Sequence, residues 1–192
     1  MMQIADILTA NFPALMSALM VTLRLTVVSL FFATIIGVIF GLFKVSGNRI
    51  LKFVADIYID IIRGTPLMVQ TMIIYYGVGQ GVRPMGFMWA NFGGSFAAAA
   101  VTLSLNAGAY MAEIIRGGIE AVDKGQMEAA RSLGMSYGKA MKKIILPQAF
   151  RTMLPSIINQ FIISLKDTSL VSVIGVSELT KRGNVMTANA AA

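Results

Sequence analysis

The chain of 192 residues contains no cysteine and no histidine. The first absence excludes a disulfide framework, a thiolate metal site and a cysteine nucleophile. The second removes the commonest general base and metal ligand. Charge is scarce as well: Asp, Glu, Lys and Arg make up 13% of the residues, against about 25% in soluble domains. In their place 56% of the chain is hydrophobic and the mean hydropathy is +0.74. A soluble domain could not hide that much apolar surface, so an all-α integral membrane protein is expected. The net charge of +7 does not point to nucleic acid, because basic residues on a hydrophobic chain mark cytoplasmic loops.

The opening "MMQIADILTANFPALMSALM" has no basic n-region and no A-x-A cleavage site before its apolar run. It does not read as a cleaved signal peptide, and the first apolar segment is expected to be retained. Four segments are long enough to cross a hydrocarbon core of about 30 Å. The first is Leu25 to Phe43, extended backwards through Pro13 as a helical entry. The second, Phe53 to Gly79, is interrupted by Asp56, Asp60, Arg63 and Pro66. The third, Phe96 to Ile115, is rich in small residues that let helices approach closely. The fourth runs from Thr152 to Val176 and contains Lys166 and Asp167.

Loop charge sets the orientation. The loop Lys44 to Lys52 holds three Lys or Arg, and Arg116 to Arg151 holds seven; Gln80 to Ser95 and Ser177 to Ala192 hold one and two. The asymmetry puts the first two loops in the cytoplasm and the N-terminus outside. Trp89, with Phe87 and Phe92, suits an outer interfacial belt. The final "VMTANAAA" supplies neither a closing helix nor a basic anchor.

The most polar stretch is "EAARSLGMSYGKAMKKIILPQA", Glu128 to Ala149, in the long cytoplasmic loop of about 116–151. Asp123 or a neighbour can start a short helix there, with acidic residues at its positive end. Gly134 fits the left-handed position that closes it. Ser136 can cap a second helix, which is expected to end near Pro147. Ala129 and Ala130 give the first helix a flat patch open to a partner. On charge alone, Lys139, Lys142 and Lys143 would suit a surface helix resting on anionic headgroups of membrane lipid.

The spacing Glu-Ala-Ala, three residues, Gly, nine residues, Ile-x-Leu-Pro is matched by Glu128, Ala129, Ala130, Gly134, Ile144, Leu146 and Pro147. It resembles the coupling signature of permease subunits of ATP-binding-cassette importers. "IRGTPLMVQ", "LSLNAGAYMAEIIRGGIEAVDKGQMEAARSLGM" and "LKDTSLVSVIG" resemble the polar amino-acid branch, of the histidine, glutamine or arginine uptake type. The resemblance implies a type I importer transmembrane domain, one domain over 1–192, with about four helices here and the family's last helix missing by truncation. It makes Glu128, Ala129, Ala130, Arg131 and Gly134 the contact to a separate cytoplasmic ATPase subunit. That partner would bind ATP and Mg²⁺, leaving this chain with no cofactor, no metal and no catalytic residue. A second permease copy or a paralogue, and an extracytoplasmic amino-acid-binding protein, are the other implied partners. The location implied is the bacterial inner membrane.

Charged groups at membrane depth are costly, and their default reading is functional. Asp56, Asp60, Arg63 and Gln70 follow helical steps and form one stripe. Gly64 and Pro66 break that helix and free backbone groups for ligands. Thr102, Asn106, Tyr110 and Glu113 form a stripe on the third helix, and Gln160, Ser164 and Asp167 on the fourth. An amino-acid zwitterion needs a cation for its carboxylate and acceptors for its ammonium. Asp60, Arg63, Asn106, Gln160 and Asp167 are therefore the candidate substrate residues. The plainer reading is that Asp60 and Arg63 neutralise each other, that Asp167 pairs with a neighbouring helix, and that Asp56 and Glu113 contact Arg116 or loop lysines. With no G-x-x-x-x-G-K-[ST] P-loop in the sequence, ATP hydrolysis is assigned to a partner. The alternative is an ion-coupled secondary amino-acid carrier using Asp60 and Asp167 as proton or sodium sites; a non-transporting scaffold would leave the buried charges unexplained.

Overall fold

A computed structural model describes residues 4–191; what was expected of the first residues and of Ala192 lies outside them. Among the described residues all regular structure is helical. The membrane-length helices are α1 (Ile4–Val45), α4 (Gly94–Glu120) and a continuous helical run from Tyr137 to Ile174. A fourth span is counted if α2 (Arg49–Arg63) and the helical run Leu67–Gly81 act as one broken span. That run begins as α3 (Leu67–Met72) and widens into a π-helical stretch at Ile73–Val78.

Local chemistry accounts for the ends. Asn48 starts α2, its Oδ1 accepting from the N–H of Ile50 at 2.9 Å and of Leu51 at 3.4 Å. Gly64 closes α2 through its N–H to the Asp60 carbonyl, and Pro66 then opens α3 with extended backbone. The proline cannot donate a helical hydrogen bond and disfavours helix in the residue before it. The stripe Asp56, Asp60, Arg63, Gln70 therefore stops at Arg63, because helical register does not carry across the break.

In the loop between α4 and the last membrane-length run, α5 (Lys124–Ser132) is capped by Asp123, which accepts from the Gly125 N–H at 2.7 Å. Gly134 ends it at φ +79°, the N–H of Met135 reaching the Ala130 carbonyl at 3.1 Å and that of Gly134 the Arg131 carbonyl at 3.0 Å. This paired closure is the Schellman arrangement.

Three boundaries depart from expectation. The helix starting at α6 (Tyr137–Ala140) does not end near Pro147: a π-helical turn at Met141–Ile145 leads into α7 (Leu146–Asp167). The wider turn relieves the clash between a proline ring and the carbonyl four residues back. Ser136 occupies the cap position of α6 without a side-chain hydrogen bond. The α-helical part of the last span stops at Asp167, not Val176, and tightens into a 3-10 stretch, Thr168–Ile174. Thr168 and Ser169 donate to the carbonyls three residues back, at 2.7 and 2.8 Å, which competes with the regular ladder. Finally, a further helix, α8 (Leu179–Ala191), follows where a loop was expected. Glu178 caps it, its carboxylate accepting from the N–H of Thr180 at 2.7 Å and of Lys181 at 2.6 Å.

The chain divides into two compact units, Met1–Phe31 with Thr65–Ser104 and Ile163–Ala192, and Phe32–Gly64 with Leu105–Ile162. The first packs Leu25, Leu103, Val171 and Ile174 around the small residues Ala98, Ala99 and Ala100. In the second, Met111, Ile115, Ile145 and Met153 form one cluster, and Ala55, Ile59 and Ala112 another. Small residues set the second unit's spacing. A Cβ on Gly37 would lie 2.5 Å from Met111 Cγ, and one on Gly41 2.9 Å from Ile115 Cγ2. These glycines, four apart, put α1 directly against α4.

Candidate functional site

The second unit gathers the charges at the ends of α1, α2 and α4. Glu113, with 17% of its side chain exposed, accepts from Arg116 at 2.8 Å and from Lys44 at 3.2 Å, and forms a longer ion pair with Arg63 at 3.7 Å. Lys44 also reaches Asp56 at 2.8 Å, and Arg116 pairs with Glu120. The guanidinium of Arg63 lies 5.2 Å from the centre of the Tyr110 ring, a cation–π distance. As expected, Asp56 and Glu113 meet lysine and arginine near the helix ends. Arg63 does not pair with Asp60: its ionic partner is Glu113 on another helix. Asp60 is exposed and makes no ion pair among the described residues.

Asn106 and Gln160 are buried in the same unit, at 6% and 4% exposure. The cost of burying their amides makes them directional groups inside an apolar body. Asp167 belongs to the first unit, half-buried, and no ion pair among the described residues engages its carboxylate. Its sequence neighbour Lys166 is exposed. The expected pairing of Asp167 with a neighbouring helix is therefore not found among the described residues.

The break is less open than the sequence implies. Gln70, 6% exposed, donates its amide to the Thr65 carbonyl at 2.9 Å and to the Thr65 hydroxyl at 2.8 Å. The Asp60 carbonyl is taken by the Gly64 N–H at 2.8 Å. Both of these backbone acceptors at the break are thus satisfied internally rather than offered to a ligand.

On α5, Glu128, Ala129 and Arg131 are exposed, whereas Ala130 is 2% exposed. The flat patch is therefore Ala129 alone, because residues one apart on a helix point about 100° apart. Arg131 folds back to the Met135 carbonyl at 3.0 Å and Ser132 to the Glu128 carbonyl at 3.0 Å, stiffening the helix end. Leu133, 84% exposed beside the helix terminus, escaped the sequence reading. The signal was there: a large apolar residue just before the closing glycine has no face of the helix to bury.

Two other features were missed. Glu178, 1% exposed, serves as a helix cap, a task usually given to Ser, Thr, Asp or Asn. Trp89 donates its indole N–H to the Tyr75 carbonyl at 3.2 Å and lies against Gly79, where a Cβ would sit 2.8 Å from Nε1. Phe87 stands edge-on to Trp89 at 5.0 Å and stacks on Phe92 at 5.1 Å. The aromatic group is a packed cap on the π-helical stretch.

Comparison with known proteins bears on the family and the all-helical fold. The chain is 44% identical over 170 residues to the arginine transport system permease protein ArtQ of Bacillus subtilis, covering 88% of this chain and 74% of the relative. It is 43% identical over 171 residues to the glutamine transport system permease protein GlnP of Escherichia coli K12, with 89% and 75% covered. A solved structure described as an amino acid ABC transporter with histidines superposes with a TM-score of 0.86 at 39% identity, over 98% of this chain and 84% of that one. The profile of a membrane transport family matches residues 33–188. The chain belongs to that family, the binding-protein-dependent transport system inner membrane components.

Proposed function

We propose that the chain is the membrane-spanning permease subunit of an ATP-driven importer for polar or basic amino acids. Substrate is translocated by alternating access between two permease copies, or this chain and a paralogue, after delivery by an extracytoplasmic binding protein. A separate cytoplasmic ATPase binds ATP and Mg²⁺. The bacterial inner membrane is its location, with the N-terminus outside. The amino-acid class rests on the relatives, which carry arginine and glutamine transport in their names.

The observation that carries the reading is α5. A short helix capped at both ends, with Glu128, Ala129 and Leu133 exposed between two membrane-length runs, contributes little to a core of its own. Such a helix suits a cleft on another protein, which would cover the exposed Leu133 beside the exposed Arg131. In the membrane, Asp60 and Asp167 are carboxylates without ion-pair partners among the described residues, and Arg63 is a partly exposed cation. Within the second unit Asp60, Arg63, Asn106 and Gln160 supply acceptors for an ammonium and a donor for a carboxylate. Asp167, in the first unit, is a separate candidate acceptor.

Glu128→Lys tests the docking role. The protein should insert and fold normally but lose co-purification with its ATPase, and Leu133→Asp should do the same. If both variants retain the ATPase and transport at the normal rate, α5 is not the coupling element.

A further inference from the structure

We propose that a groove at the loop end of the second unit holds the headgroup and upper chains of one anionic phospholipid. The groove has a volume of ≈ 530 Å³ and is bounded by the end of α1, the start of α2, the end of α4 and the start of α5. Val45, Ile119, Met127 and Ile145 supply apolar walls; Lys44, Lys52 and Lys124 supply cations.

Accounting for each charge decides the sign. Lys44 is engaged by Asp56 and Glu113. Glu120 is held by Arg116, and Asp123 is committed to the Gly125 N–H at the start of α5. Lys52 and Lys124 remain, both exposed and without an ion pair among the described residues. The lining thus carries three ammonium groups against two carboxylates, one net positive charge, with the ammonium groups of Lys52 and Lys124 outside any ion pair over an apolar floor.

Position selects the occupant. The candidate membrane spans Asn11–Val45 and Gly94–Glu120 both end at this groove. It therefore lies at headgroup level, where a phosphodiester meets basic side chains and its acyl chains meet apolar ones. A free anion would satisfy the lysines and leave the apolar walls wet. The inference needs α1 and α4 to span the bilayer and does not depend on the transport reading.

Native mass spectrometry of the full chain, with phosphatidylglycerol or phosphatidylcholine of the same chain length added, reads the site directly. Phosphatidylglycerol should be retained in preference. The double variant Lys52→Gln, Lys124→Gln should weaken retention roughly tenfold or more, the scale of two lysine–headgroup contacts. Ser46→Trp, which fills the groove without changing its charge, should weaken it too. Lys139→Gln with Lys142→Gln, lysines outside the groove, should have little effect. Equal retention of both lipids, or equal loss in the two double variants, overturns the proposal. So does displacement by millimolar inorganic phosphate, which would assign the site to a free anion. A cysteine at Met127 shielded from a thiol reagent by the ATPase subunit, but not by phosphatidylglycerol, would make the groove a protein contact and overturn it as well.

Discussion

Glu113 binds three cations from three helices at once: Lys44 of α1, Arg63 of α2 and Arg116 of its own helix. Arg63 is the last residue before the break, and Arg116 lies just before the loop that carries α5. One carboxylate therefore ties the broken span to the root of the proposed coupling loop.

Glu113→Gln should leave those cations facing only Asp56 and Glu120. At 17% exposure, loss of the charge should cost on the order of 1–3 kcal/mol. A lower melting temperature checks this, and transport should suffer more than folding. If neither stability nor the amount of ATP hydrolysed per substrate changes, Glu113 is a passive surface charge.

Gly37→Ala should destabilise the second unit by about 1–3 kcal/mol, because the new methyl meets Met111 Cγ at 2.5 Å. Met111 Cβ lies 2.6 Å from the same methyl, so Met111→Gly, which removes both Cβ and Cγ, clears the side-chain obstacle, and the double variant should recover part of the loss. Additive losses in a double-mutant cycle would show that the two positions do not touch.

Trp89 is the sole tryptophan, which makes its hook onto the Tyr75 carbonyl optically visible. Gly79→Ala should displace the indole, shift its emission to longer wavelength and raise its accessibility to a soluble quencher. An unchanged spectrum would mean that the ring does not rest on Gly79.

These relationships show where the sequence is legible. The spans, the interruption at Gly64–Pro66, the Asp123 cap and the Gly134 stop follow from hydropathy and local backbone preference, and all four are present. Charge pairing was harder to read. Sequence distance favours Asp60 with Arg63, but the rotation of α2 and the arrival of Glu113 from α4 decide otherwise. The Gln70 amide was read as part of a polar stripe because nothing local shows that it turns back to Thr65. The glycine pair at 37 and 41 was readable from its spacing in an apolar run. The continuation through Pro147 was not, because it depends on a widened turn just before the ring.

Asp167→Asn keeps the shape of the side chain and removes its charge. If the carboxylate meets the substrate ammonium, intramembrane affinity should fall roughly tenfold to hundredfold, the loss of a charge-assisted contact of about 1–3 kcal/mol. Basal ATPase activity should persist while substrate-stimulated activity declines. A lowered melting temperature with normal transport by the folded fraction would instead make Asp167 a structural residue.

Uptake into sealed vesicles tests the central claim most directly. The chain is reconstituted with its ATPase and binding protein, internal ATP is supplied, and proton and sodium gradients are held at zero. Accumulation of labelled arginine or glutamine that requires hydrolysable ATP and the binding protein is the predicted result. Uptake that ignores ATP and follows an imposed ion gradient would contradict the account and make the chain a secondary carrier.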